Sequence, residues 1–289
     1  MYKVAILGCE NSHADAFLTD VVKNKLVEDV EFIGVYSDET EAAKKLSETF
    51  GVPVADSYDA FVGKVDGIII TARHGDNHYK YAKPYLASGI PLFIDKPITC
   101  TQADAVDFMA EVKANNVPVS GGSICVLADY VQELKKAVAE KTYGPVYGGY
   151  TRAPISLNET YGGFYFYAQH LVQVAMEIFG FYPKCVQTFR KANTFTCLLR
   201  YEEYDVPLCF VEGNYVYHAG ISCGKGYIGA DYDISGELFK REFMEFYELL
   251  EGKPQKQSYE DFFAPVYVMN ALVRSWESGK EEPVNYFVK

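Results

Sequence analysis

The sequence predicts a two-domain α/β protein. Residues 1–121 read as a doubly wound parallel sheet, and residues 122–289 as an α+β domain built on an open, mostly antiparallel sheet. Three observations predict it. Apolar β-branched runs alternate with helical segments through the first 120 residues, and the rhythm changes after Gly121-Gly122. Three further runs between Cys185 and Asn214 then follow one another with no helix between them, which is the pattern of antiparallel pairing. A hydrophobic fraction of 49% over 289 residues is ample for a full core.

Lys3 to Gly8 is a buried strand ending in glycine, and Cys9 to His13 lead into a helix expected to run to about Val27. Glu31 to Tyr36 is the second strand, followed by a helix from Thr40 to Phe50 that Gly51 closes. Val52-Pro53-Val54 reads as a short third strand. Gly67 to Thr71 has no polar alternation and predicts a strand buried on both faces. Asp76 or Asn77 caps the helix after it, Gly89 ends that helix, and Pro91 to Ile94 form the next strand. Thr101 with Asp104 resembles a capping box for a helix to about Asn115, and Val117 to Ser120 form a sixth short strand. Beyond Gly122 the expected elements are a helix over Leu127 to Val138, a strand over Val146 to Thr151 and a helix over Phe164 to Phe179. Strands over Cys185 to Arg190, Thr194 to Tyr201 and Pro207 to Asn214 follow. Helices from Gly236 to Leu250 and Tyr259 to Ser278 precede an edge strand at Val284 to Val288.

A net charge of −12 opposes binding to nucleic acid or to an anionic membrane surface. Seven cysteines with no CxxC pair and no Cys/His spacing suited to zinc fit reduced thiols in the cytoplasm, and no metal site is expected. The chain begins with a strand instead of a basic leader, and it has no apolar run long enough to span a bilayer. An open sheet face needs a partner, so a homodimer or homotetramer through the C-terminal sheet is expected.

Ligand sites in doubly wound sheets lie beyond the carboxyl ends of the strands. Strand, glycine turn and helix at Gly8 to His13 open such a site, because Gly8 permits the tight turn and the N–H groups of Asn11 and Ser12 face a pyrophosphate. The second and third glycines of GxGxxG are Glu10 and His13, and Glu10 repels a pyrophosphate unless it turns away. Ser37 and Asp38, with Glu39 behind them, end the second strand where an adenosine ribose is read. Acidic groups there favour NAD over NADP. Thr71, Ala72, Arg73, His74 and His78 follow the central strand, and Asp95-Lys96-Pro97 follows the next.

Gly67 to Pro97 resembles the family of glucose-fructose oxidoreductase, inositol dehydrogenase and MocA, with His78 and Asp95-Lys96-Pro97 in the family's spacing. The family's tripeptide is commonly Glu-Lys-Pro. Gly162-Gly163 followed by His170, and the tail Arg274 to Lys280, resemble the family's later motifs. The resemblance implies an N-terminal Rossmann domain, NAD(P) as cofactor, and a sugar- or polyol-like substrate. It also implies that Lys96 and His170 face each other across the nicotinamide. Tyr165, Tyr167 and Gln173, together with Lys96 and His170, are the expected substrate-binding residues. Alcohol oxidation needs a base for the hydroxyl proton and a cation for the developing oxyanion, roles that suit His170 and Lys96. The motif's two aspartates are Phe166 and Gln173 here, so the sequence names no group that orients His170. A non-catalytic ligand-binding or interaction module, and an NAD-using glycosidase or epimerase, are the alternatives.

Overall fold

A computed structural model describes residues 1–289, which divide into two compact units. The first comprises Met1–Thr99, Asp104–Gly122 and Ser235–Glu260. The second comprises Cys100–Ala103, Ser123–Ile234 and Asp261–Lys289.

The first unit is built on five parallel strands: β1 (Tyr2–Leu7), β2 (Val30–Tyr36), β3 (Gly67–Ile70), β4 (Leu92–Asp95) and β5 (Val119–Gly122), in the order β2-β1-β3-β4-β5. β3 and β4 are buried at every position, as their unalternating apolar runs require. Helices α1 (Ser12–Leu18), α2 (Thr40–Phe50), α3 (Asp76–Ala82) and α4 (Gln102–Ala114) make the crossovers. The chain direction across the sheet reverses between β1 and β3, and ligands of such sheets bind at that reversal.

Three expectations change in this unit. Val52-Pro53-Val54 is not a strand but a single parallel bridge, Val35 to Val54, on the outer side of β2. Pro53 has no N–H to give, so the ladder stops after Val35 N–H to Pro53 O and Ala55 N–H to Val35 O. The first helix ends at Lys23 through a π-helical turn, Thr19–Lys23, and Lys25 lies in the left-handed region at φ 57°. At α3 the capping position is Gly75, and neither Asp76 nor Asn77 caps it. Helix α7 (Glu237–Leu250), distant in sequence, also belongs to this unit. Its Phe246 and Leu250 press on Gly67, where an added Cβ would lie 2.8 and 2.7 Å from their side chains.

The second unit carries a seven-stranded mixed sheet in the order β11-β10-β6-β9-β8-β7-β12. Its members are β6 (Val146–Ile155), β7 (Cys185–Arg190), β8 (Thr194–Arg200), β9 (Asp205–Glu212), β10 (Tyr217–Cys223), β11 (Gly226–Tyr232) and β12 (Glu282–Pro283). All neighbours pair antiparallel except β6 with β9. The hairpin β10–β11 has no counterpart among the predicted strands, because glycines 220, 224, 226 and 229 interrupt its alternation. The expected edge strand at Val284 to Val288 is displaced to Glu282–Pro283, since Pro283 allows only a two-residue pairing with β7. Helices α5 (Asp129–Ala139), α6 (Phe164–Phe179) and α8 (Tyr259–Ser278) complete the unit. No helix is long and apolar enough to cross a membrane.

Candidate functional site

The N-terminal turn is set by steric necessity at Gly8. Its φ of 89° is left-handed, and an added Cβ would lie 2.2 Å from the Ala72 nitrogen. The Thr71 hydroxyl donates to the Gly8 carbonyl at 2.5 Å, and the Thr71 N–H donates to Leu7 O at 2.8 Å. The ends of β1 and β3 are therefore locked at the sheet's reversal. A cleft of about 580 Å³ opens there, lined among others by Glu10, Asn11, Ser12, Glu39, Lys45 and Arg73.

Glu10 turns onto the ends of two strands. One carboxylate oxygen accepts from the Ser37 hydroxyl at 2.6 Å and the other from the Arg73 N–H at 2.9 Å. Asp38, expected to read the ribose, is held elsewhere. It accepts from the Tyr36 hydroxyl at 2.6 Å and pairs with Lys80 at 3.3 Å. Burial opposes its charge, but the bonds from Tyr36, Tyr81 and Lys80 outweigh that and hold its carboxyl below the ordinary range. Glu39, not Asp38, lines the cleft.

Asn11 caps α1 by accepting from the Ser12 N–H at 2.8 Å, while its amide donates to Asp95. Asp95 also accepts from the Lys96 N–H at 2.6 Å and lies 3.2 Å from His13. This buried carboxylate thus ties the glycine turn to the backbone that carries Lys96, itself 4% exposed. His78 is fully buried and its Nε2 donates to the Ala72 carbonyl at 2.7 Å; desolvation holds its ring below the ordinary imidazole value. His74 is half-buried, and its Nδ1 accepts from the Asp76 N–H at 3.3 Å.

In the second unit, His170 lies in the buried middle of α6, which begins after Gly162 and Gly163, both at positive φ. Its Nδ1 meets the Ser123 hydroxyl at 2.7 Å and the Cys125 thiol at 3.4 Å. Gln173 Oε1 accepts from the Ser123 N–H at 2.8 Å and from the Gln169 amide at 3.0 Å, which fixes the serine. Neutral groups therefore meet Nδ1 where the sequence pattern leads one to seek a carboxylate. A hydroxyl can donate or accept, so it can hold either tautomer of the ring. Ser123 was hidden in the sequence because it lies 47 residues from His170; its one local signal is its place after Gly121-Gly122. Tyr167 packs 6.1 Å from the His170 ring, centroid to centroid, and the Tyr165 hydroxyl donates to Asn270 at 3.3 Å.

Residues 2–123 match the family model described as the oxidoreductase family with an NAD-binding Rossmann fold. These residues belong to the Gfo/Idh/MocA oxidoreductase family. Solved structures share the fold over almost the whole chain. Myo-inositol 2-dehydrogenase from Lactobacillus plantarum superposes with a TM-score of 0.85 at 13% identity, covering 98% of this chain and 99% of that one. A myo-inositol dehydrogenase from Corynebacterium glutamicum gives 0.82 at 16% identity, covering 99% of each. GenD2 from gentamicin A biosynthesis, solved in complex with NAD, gives 0.83 at 14% identity, covering 98% of this chain and 96% of that one. No curated protein matches the chain by sequence. The Rossmann turn is compatible with a dinucleotide in two respects: Gly8 lets the turn close tightly on Ala72, and the cleft beside it lies within the size range of cofactor sites.

Proposed function

We propose that this family member is an NAD-dependent oxidoreductase acting on a sugar- or polyol-like alcohol. The observation that carries the reading is the strand reversal at Gly8, closed against Ala72 and opening into the cleft. Gly8, Glu10, Asn11, Ser12 and Arg73 would hold the cofactor, which accepts hydride from the alcohol carbon when bound. Thr71, Ala72 and His78 shape the turn behind them. Glu10 is the ribose-reading acid in this proposal, and its fixed charge disfavours a 2′-phosphate, so NAD is preferred to NADP.

His170 takes the hydroxyl proton as general base, with Ser123 setting the ring through Nδ1. Lys96 supplies the cation that stabilises oxygen as its charge develops. Tyr165, Tyr167 and Gln173 serve on the substrate side, Gln173 through its hold on Ser123. The assembly is a homo-oligomer formed through the C-terminal sheet, and seven cysteines without a disulfide suit a reducing cytoplasm.

Thermal unfolding with and without 1 mM NAD or NADH tests the reading, since a ligand of the folded state must raise Tm. A rise for NAD larger than for NADP is expected, and an unchanged Tm with both would overturn it. One observation favours a second reading, a non-catalytic binding module: Glu10 brings a carboxylate into the cleft where the fingerprint has glycine. Cofactor binding with no turnover across a panel of polyols and sugars decides for that alternative.

A further inference from the structure

His13 stands at the fingerprint's third glycine, the position of close approach between helix and sheet. Its two ring nitrogens each meet a carboxylate from another segment. Nδ1 lies 3.2 Å from Asp95 and Nε2 3.1 Å from Glu242 of α7. All three side chains are at least 97% buried. The rings of Phe17, Phe93 and Phe239 pack around the imidazole at 4.9–6.3 Å, so the surroundings are apolar.

Both contacts are at ion-pair distance, but neither ring nitrogen is aligned for a hydrogen bond. The row is therefore held by charge, and a ring flanked by two carboxylates is favoured with both nitrogens protonated. Buried charges persist when they are paired in this way, and removal of one partner leaves the others costly. Burial opposes charge on His13, but Asp95 and Glu242 outweigh it and raise the ring's pKa. Burial also pushes Glu242 up to about 7, against the pull of His13. The other charges that bear on the row are Lys96, which opposes the imidazolium, and Glu245, which adds to the repulsion at Glu242. Asp95 passes the constraint on, because its other oxygen accepts from the Lys96 N–H.

We propose that Glu242 and His13 are positioning residues for the turn that carries Lys96, holding the Asp95 carboxylate in the orientation that receives the Lys96 N–H. The His13 ring fills the space between α1 and the sheet and sets Nδ1 against the Asp95 carboxylate. The consequence for turnover rests on Lys96 being catalytic, as proposed above, whereas the row itself can be observed without any substrate.

Histidine-ring ¹⁵N spectra of the full-length protein from pH 6 to 9, with hydrogen exchange at the Lys96 amide, test it. His13 should keep both ring nitrogens protonated, or in fast exchange with a carboxyl proton, at pH 8, where a solvated imidazole is neutral. Glu242→Gln should return the ring to ordinary single protonation by pH 8. It should also speed exchange at Lys96 about five- to tenfold, the effect of one hydrogen bond lost. Glu245→Gln should leave the Lys96 amide unchanged. A wild-type His13 that titrates like a solvated imidazole overturns the proposal even if the variant fails to fold. An unchanged Lys96 amide in folded Glu242→Gln overturns it too. NADH titration of the wild type separates the two readings: an intact ring signature without cofactor binding sinks the oxidoreductase proposal alone, and binding with an ordinary His13 sinks the positioning proposal alone.

Discussion

At Glu10 a single carboxylate replaces what two backbone approaches would supply in a glycine turn. It spends both oxygens on the Ser37 hydroxyl and the Arg73 N–H, so its charge is fixed in the cleft instead of swinging free. Glu10→Gln keeps an acceptor and removes the charge. The expected result is a relative gain for NADP over NAD of about tenfold, on the order of 1.4 kcal/mol, read by fluorescence titration of both reduced cofactors. Ser123 is the corresponding residue for His170. Ser123→Ala should lower kcat about tenfold, shift its pH profile and leave NADH affinity unchanged, since a misoriented base affects the chemical step and not cofactor binding. His78 gives a pH effect of defined sign. Its folded value lies below that of the unfolded chain because burial penalises the charged ring. The unfolded state therefore takes up a proton first as pH falls below about 6.5, and stability is lost toward acid. His78→Gln should flatten this loss, so the stability gap between wild type and variant should narrow from pH 7.5 to pH 5 in urea unfolding.

At the scale of elements, α7 shows what sequence order conceals. Its amphipathic pattern predicts a helix over Gly236 to Leu250, and the helix is there, but it packs on β5 and α1, and over Gly67 of β3, in the N-terminal unit. Periodicity reports which face is apolar, not which sheet receives it. Phe246 is fully buried against Gly67, so Phe246→Ala should cost about 3–5 kcal/mol in chemical unfolding, a cavity cost beyond that of transfer alone. Helix α6 and the strands β7 to β9 were legible because their apolar runs and closing glycines are local signals. The hairpin β10–β11 was not, because Tyr227 lies over Gly220 and Gly229, and an added Cβ at either would meet its ring within 2.8 Å. Those glycines serve a ring packed across the strand, and they erase the alternation that marks a strand. Among the residues of the proposed function, Gly8, Lys96 and His170 stand out in the sequence by spacing. Ser123, Glu242 and the Lys80 pairing of Asp38 depend on contacts 42 to 229 residues apart, which no local pattern carries.

For the whole molecule, the proposed homo-oligomer turns on the open face of the C-terminal sheet. Along β8 and β9 one side is buried, through Phe195, Cys197, Leu199, Val206, Leu208 and Phe210. The alternate positions Thr196, Leu198, Pro207, Cys209 and Val211 are half-exposed and carry no charge. A face of this kind is a natural isologous surface, while a net charge of −12 keeps chains apart everywhere else. Light scattering should therefore report two or four times 32.4 kDa. Replacing Leu198 and Cys209 together by glutamate places like charges on both copies of a two-fold contact, and the mass should fall to that of one chain. Helical circular dichroism and NADH affinity should persist, because both substitutions lie outside the N-terminal unit. A wild-type mass of one chain, or a double variant that keeps the higher mass, would remove the sheet from the assembly and leave its open face unexplained.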